Sequence, residues 1–218
     1  MATRPGKSTL GEMSTDAMIG SYRIVPANLA PWRDLSELLG TCAAASRCQC
    51  QRYKLARGES FARLGGEELA HRLRTQTEPE HPDAQSTTGL LAYSGARPVG
   101  WCAVEPRTAY AGLLRVAKVP WQGRSQDKAD DGVWAVTCFV TRAGFRRRGV
   151  ATALARAAVG HARHAGAHAI EAYPITTSAA ISEEWHVGMV GMFENAGFRQ
   201  VSAPTSRRVV MRLDFAEE

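Results

Sequence analysis

Eight consecutive residues, "VWAVTCFV" at 133–140, constrain the fold more than any other stretch. A run this short and this apolar reads as a strand buried on both faces, because a half-exposed strand would alternate. Such a strand needs a neighbour on each side and a covering layer on each face. The chain must therefore supply further strands and flanking helices.

The rest of the sequence supplies them. "SYRIVPA" is a short strand in which Tyr22, Ile24 and Pro26 alternate with Arg23 and Val25. "PWRDLSELLG" is a helix with Pro31 in its first turn, an apolar stripe of Leu35, Leu38 and Leu39, and Gly40 as its stop. "GEELAHRLRTQ" is a second helix, with Leu69 and Leu73 four apart. "TTGLLAYSGARPVGWCAVEP" predicts a hairpin, Thr88 to Tyr93 against Val99 to Val104, turning at Ser94-Gly95-Ala96. Arg107 to Gly132 is a long polar connection, read as a lid or flexible loop. Beyond the apolar strand, Gly149 to Gly166 predicts a helix. Its packing stripe is read as Leu154, Ala157, His161 and Ala165. "HAIEAYPI" is a strand, "WHVGMVGMFENAGF" a helix stopped at Gly197, and "RRVVMRLDF" a closing strand. Residues 1–18 are small, polar and aperiodic, and are expected to form a mobile arm ahead of a single domain at 19–218.

The helix at Gly149 begins in a distinctive way. "GFRRRGVATALA" sets Arg146, Arg147 and Arg148 directly before Gly149. The formal charge is +6 and the pI about 9.3, so the run reads either as a nucleic-acid patch or as the rim of a phosphate site. The first N–H groups of a helix lack partners within it, and the helix dipole adds positive potential there. Glycine lets an anion approach the backbone closely. A nucleic-acid surface needs no glycine at the centre of its positive run, whereas a diphosphate cradle gains from one. The cradle is therefore the favoured reading.

Arg146-x-x-Gly149-x-Ala151 resembles the Arg/Gln-x-x-Gly-x-Gly/Ala signature of the GNAT superfamily of N-acetyltransferases. It follows a buried strand and opens an amphipathic helix. "MFENAGF" is similar to the segment that ends the family's last helix. The resemblance covers roughly residues 21–215. It implies an α/β fold: a central mixed, largely antiparallel sheet with splayed central parallel strands and flanking helices. It also implies acetyl-CoA as co-substrate and an amine acceptor, small molecule or protein. By the same resemblance, Arg146, Arg147, Arg148, Gly149, Val150, Ala151 and Thr152 hold the pyrophosphate. Phe139 and Val140 pair with the pantetheine arm like an added strand.

For proton transfer the candidates are Glu171, Tyr173 and His186. Some family members carry a glutamate base at the place of Glu171; the alternative is that it only pairs with an arginine or orders a loop. Alternation sets Tyr173 on the same face as Glu171. His186 stands where the family often has an asparagine touching the coenzyme arm. The departure is Phe193, at the position of a tyrosine that protonates the leaving thiolate in many members. Glu105, Asp130 and Asp131 are reserve carboxylates, read first as solvated turn residues.

"CAAASRCQCQRYK" carries Cys42, Cys48 and Cys50, but Cys-x-Cys with a distant His71 is a poor zinc spacing, so no metal is expected. An acceptor-contacting role suits that segment better, and Cys138 reads as core. Trp101, Trp121, Trp134 and Trp185 read as packing residues, with Trp121 a candidate for the acceptor pocket. No apolar run is long enough to span a membrane, and "MATRPGKSTLGEMSTDAMIG" lacks the apolar stretch of a signal peptide. Glu12 and Asp16 argue against a transit peptide, so the expected location is cytoplasmic with reduced thiols. A homodimer is left open. Besides the enzyme, two other classes are carried: a catalytically inactive acyl-CoA-binding regulatory module and a basic nucleic-acid-binding protein.

Overall fold

The 133–140 run lies at the heart of an eight-stranded sheet. The computed structural model describes residues 17–79, 81–84, 87–116, 118–177, 179 and 182–216. Its strands are β1 (Ala17–Ile19), β2 (Tyr22–Pro26), β3 (Gly89–Ser94), β4 (Arg97–Pro106), β5 (Val133–Thr141), β6 (Ala169–Ala172), β7 (Arg199–Thr205) and β8 (Arg208–Asp214). Their spatial order is β1-β2-β3-β4-β5-β6-β8-β7. Every neighbouring pair is antiparallel except β5 and β6, which are parallel. All of β5 but its last residue is buried, as its composition requires.

The helices are α1 (Trp32–Gly40), α2 (Ala43–Cys48), α3 (Phe61–Thr77), α4 (Ala111–Val116), α5 (Lys118–Trp121), α6 (Val150–His164) and α7 (Val190–Glu194). One face of the sheet packs on α6, forming the larger core with Ile24, Leu90, Val104, Val136 and Phe193. The other face packs on α1 and the start of α2 through Leu35, Leu38, Leu39, Leu91 and Trp101. This two-sided covering is what a doubly buried central strand demands.

Several expectations need correction. The mobile arm was expected to reach residue 18; residues 1–16 lie outside the described part, while Ala17 and Met18 belong to β1 and pair with Ile24 and Arg23. The helix beginning at Gly66 starts earlier, at Phe61, because Ser60 caps it by accepting from the Arg63 N–H at 3.3 Å. It kinks at Gly65, whose φ is +77°. The single helix expected over 185–198 is broken. Ser182–Val187 is a 3₁₀ turn, Gly188 has a φ of +77°, and only Val190–Glu194 is α-helical. β7 was missed, because its residues are largely exposed and carry no apolar pattern.

The packing stripe of α6 is rotated from the expected one. Val150, Leu154, Ala158 and Ala162 are buried, together with Ala153 and Ala155, whereas Ala165 is exposed. Small residues dominate the stripe because α6 lies close on β4. A Cβ built on Gly100 would sit 2.4 Å from Val150 Cγ1 and 2.9 Å from Leu154 Cδ1. Only glycine fits at that crossing. Gly100→Val should therefore destabilise the fold by about 1–3 kcal/mol through overpacking. Urea unfolding checks this, and a variant with wild-type stability would show that α6 can shift.

Candidate active site

β5 and β6 part company partway along. Their register runs from Val133↔Ala169 to Val136↔Ala172 and stops there. β5 continues to Thr141, still paired with β4 as far as Gly100↔Thr141. A register shift between Ala103 and Val104 sets Thr137 in a bulge on β5, which bends the strand where the separation begins. The result is a cleft beside Cys138, Phe139, Val140 and Thr141. This is the splay between the central parallel strands that the resemblance implied.

The cleft has a volume of about 690 Å³. One wall is α2 with the residues around it, Cys42, Arg47, Cys48, Cys50, Arg52 and Tyr53. The other is the turn holding Trp185, His186 and Gly188. At its mouth stand Arg146, Arg147 and Ala151. Gly149 is the N-cap of α6, with φ +83° and no side-chain capping bond. A Cβ there would meet nothing within 4 Å, so the backbone at the start of α6 faces open space. The chain also turns through Arg147 at φ +58°. An uncapped helix start, two arginines and an exposed glycine make an anion-binding corner.

The nine residues expected to bind the coenzyme divide accordingly. Phe139, Val140, Arg146, Arg147 and Ala151 line the cleft. Gly149 and Thr152 lie in the adjoining first turn of α6. The Val150 side chain is buried in the core, leaving only its backbone toward the corner. Arg148 turns aside: its guanidinium lies over the Phe145 ring at 5.7 Å, and its carbonyl accepts a 2.9 Å bond from the Tyr22 hydroxyl.

The three proton-transfer candidates are not brought together. His186 lines the cleft, its ring 6.1 Å from that of Tyr53. Glu171 and Tyr173 do not. Glu171 is fully buried and gathers three guanidinium groups: Arg107 Nη1 at 3.2 Å, Arg212 Nη1 at 3.0 Å, and both terminal nitrogens of Arg124. The Tyr173 hydroxyl also donates to it at 3.0 Å. Burial alone would raise the Glu171 pKa, but Arg124, Arg107 and Arg212 outweigh that and hold it below the ordinary 4.5. A carboxylate so held is a poor proton acceptor at neutral pH. Burial, and then the neighbouring Glu171 charge, pushes the Tyr173 phenol well above its usual value.

Glu171 is joined through these arginines to the segment after β4. Arg107 donates onward to the Asp127 carbonyl at 2.6 Å and stacks on Trp121 at 4.8 Å, while Arg124 donates to the Pro120 carbonyl at 3.0 Å. The Arg107–Gly132 connection is therefore not a free lid but a segment with α4 and α5 clamped onto β6 and β8. Trp121 is held in this clamp, donating to the Leu113 carbonyl at 2.9 Å, and does not line the cleft. Trp185, expected to pack, is 37% exposed and does line it.

Two of the three reserve carboxylates, Glu105 and Asp130, are engaged. Lys54 meets Glu105 in a nearly buried ion pair, and Asp130 bonds His168 at 3.1 Å, so neither is a simple solvated turn residue. Phe193 is fully buried between Phe139 and Phe198, with ring centroids at 5.8 and 5.2 Å. It braces the strand rather than offering a proton. Arg47, Arg52 and Tyr53 were not singled out from the sequence, but they lie within the 42–54 segment expected to contact the acceptor.

A model of the acetyltransferase (GNAT) family matches residues 53–198, about two thirds of the chain. The chain belongs to that family. Its fold is similar to the GNAT domain of S. lividans PAT, at 17% identity and TM-score 0.55, covering 94% of this chain and 99% of that one. It is also similar to yncA from Salmonella typhimurium, solved with its cofactor acetyl-CoA. There the identity is 12% and the TM-score 0.53, over 91% and 96% of the two chains. A GCN5-related N-acetyltransferase from Kribbella flavida matches at 17% identity and TM-score 0.52, over 89% and 98%. No curated protein matches the chain. Among the described residues, no helix is long and apolar enough to cross a membrane.

Replacing Glu171 by Gln should cost about 3–5 kcal/mol of stability, because it leaves buried arginines without their counter-charge. The wild-type carboxylate has a lowered pKa in the fold. Its contribution is therefore complete above its ordinary value of 4.5 and fades as pH falls through the lower folded value. Denaturation of both forms between pH 7 and 2 checks this. The gap between them should close on acidification, and a constant gap would assign Glu171 a different role.

Proposed function

We propose that this chain is an acetyl-CoA-dependent N-acetyltransferase that moves an acetyl group to a primary amine by direct attack in a ternary complex. One observation carries the reading. A single cleft joins the uncapped, arginine-flanked start of α6 to the open side of β5. A long ligand with a diphosphate at one end and an amide-bearing arm at the other suits both ends of such a cleft. The acetyl-CoA carried by the Salmonella typhimurium protein of this fold supports the same ligand here.

In this reading the Arg146 and Arg147 side chains, with the backbone N–H groups from Gly149 to Thr152, hold the pyrophosphate. Arg148 stays at the rim. The unpaired side of β5 at Phe139 and Val140 binds the pantetheine arm as an added strand. Coenzyme, when bound, supplies the activated acetyl group. A strand N–H facing the cleft polarises the acetyl carbonyl. His186 is the one of the three proton-transfer candidates that lines the cleft, and we assign it the proton of the attacking amine. Glu171 and Tyr173 keep the strand in place. With Phe193 at the usual tyrosine position, the departing thiolate takes its proton from solvent. Among the described residues, no carboxylate lines the cleft.

A regulatory module that binds acyl-CoA without turnover is the second reading, favoured by the burial of Glu171, Tyr173 and Phe193 away from the cleft. Heat stability with acetyl-CoA, combined with release of coenzyme thiol across an amine panel, separates the two. The enzyme gives both signals and the module only the first.

Gly149→Asp should weaken acetyl-CoA binding at least about 100-fold. It sets a negative charge at the diphosphate and forces an L side chain into a φ of +83°. Titration calorimetry reads this, and unchanged affinity would remove the cradle. His186→Gln should lower kcat about 100-fold while coenzyme affinity stays within threefold. A wild-type kcat and pH profile in that variant would dismiss His186.

A further inference from the structure

Four of the five cysteines converge on one place. Cys42, Cys48, Cys50 and Cys138 all line the cleft, although Cys138 lies 88 residues from Cys50 in the chain. Cys102 is buried and does not line it, while Cys48, Cys50 and Cys138, also buried, border it. All five are free thiols, and among the described residues no group of three or more His, Cys, Asp or Glu side chains is placed to hold a metal ion. The acetyl-transfer reading uses none of them.

The geometry singles out one pair. The sulfurs of Cys50 and Cys138 are 3.4 Å apart. The Trp101 indole N–H donates to the Cys50 sulfur at 3.1 Å. Two successive left-handed residues after α2, Gln49 at φ +45° and Cys50 at φ +53°, turn that sulfur toward β5. Such a conformation is costly for residues other than glycine and persists where the surroundings hold it. On one side Gln51 anchors the turn to Gln76 at 2.9 Å. Cys138, for its part, directly precedes Phe139 and Val140, the strand residues assigned to the coenzyme arm.

We propose that Cys50 and Cys138 form an oxidisable dithiol that a small anionic disulfide converts to an intramolecular disulfide, closing the cleft to coenzyme. The arginines at the mouth attract an anionic disulfide, and the cleft admits a slender one. The indole N–H stabilises negative charge on Cys50, so Cys50 attacks first. Cys50 loses its proton to solvent and its thiolate attacks one sulfur of RS–SR; that S–S bond breaks, a Cys50–S–S–R bond forms, and RS⁻ leaves and takes a proton. Cys138 then loses its proton to solvent and attacks the Cys50 sulfur, expelling the second RS⁻, which is also protonated. Two protein thiols are oxidised, and one RS–SR is reduced to two RSH.

The competing thiols are less suited. Burial pushes Cys48 up to about 11, and burial holds Cys102 well above its ordinary value. Hydrogen bonding to Cys50, then burial, also raises Cys138, which fits the second step, where an adjacent disulfide awaits it, better than the first. Bond formation must bring the sulfurs from 3.4 Å to about 2.05 Å. That draws the turn after α2 onto β5 at the floor of the cleft.

The effect on coenzyme rests on the function proposed above; the pairing of the two sulfurs does not. The test is incubation of the reduced full chain with glutathione disulfide. A non-reducing digest is then read by mass spectrometry, and acetyl-CoA titration follows before and after dithiothreitol. The expected result is a Cys50–Cys138 cross-link and an at least tenfold loss of coenzyme affinity, restored by reduction. In Cys50→Ser and in Cys138→Ser, the affinities with and without oxidant should agree. A digest showing only glutathione on Cys42, or a cross-link between other cysteines, overturns the pair. The expected cross-link with unchanged affinity overturns the closure. If the reduced chain binds no acetyl-CoA, the coenzyme reading fails instead, and the digest still decides the pair.

Discussion

A single buried carboxylate holds the central sheet together at the point where it begins to open. Glu171 is paired in register with Ala135, one step before the last β5–β6 pair. Arg107 and Arg124 reach it from the segment after β4, and Arg212 from β8. Three parts of the chain thus meet at one negative charge. A buried ionic cluster of this kind contributes little net stability compared with an apolar core, but it is costly to break. Its effect is to fix the base of the splay while β5 and β6 diverge beyond it. The site depends on that fixed base, because a cleft between strands keeps its width only if the strands cannot rejoin or drift.

Above the clamp the chemistry changes character. The floor of the cleft is apolar and sulfur-rich, and its mouth is cationic. Phe193 belongs to the floor's support, wedged against Phe139 from below. Gly188 allows this packing, since a Cβ there would lie 2.4 Å from Met192 Cε and 3.1 Å from Phe193 Cε2. The aromatic ring at position 193 therefore serves the shape of β5. The ring's packing against Phe139 and Phe198 accounts for an aromatic residue at this position.

The sequence made local features legible and concealed those built from distant residues. The strand at 133–140 was plain from its composition, and the start of α6 from Gly149 and its arginines. The hairpin of β3 and β4 followed from two β-rich runs flanking Ser94-Gly95-Ala96. The resemblance added the splay. What could not be read were pairings across the chain: Glu171 with arginines 64, 47 and 41 positions away, and Cys50 with Cys138. Glu171 stood both as a candidate base and as a partner for an arginine, and nothing local announced three guanidinium groups. The segment after β4 looked loose because its anchors are polar. Arg107, Gln126 and Asp127 hold it through charge and hydrogen bonds rather than an apolar stripe. β7 was invisible for a similar reason, since an exposed edge strand carries no periodic burial to detect.

The parting of β5 from β6 also creates an edge strand in the interior of a sheet. Strand edges on a protein's flank invite pairing with other chains, and proteins guard them with charges, bulges or brevity. This one is guarded by its walls. The cysteine-rich turn after α2 stands on one side and the Trp185–Gly188 turn on the other. A second sheet cannot align along β5 between them, whereas one extended chain of small cross-section can. The same walls that leave room for only one extended chain therefore also protect the protein from associating with itself along its most apolar strand.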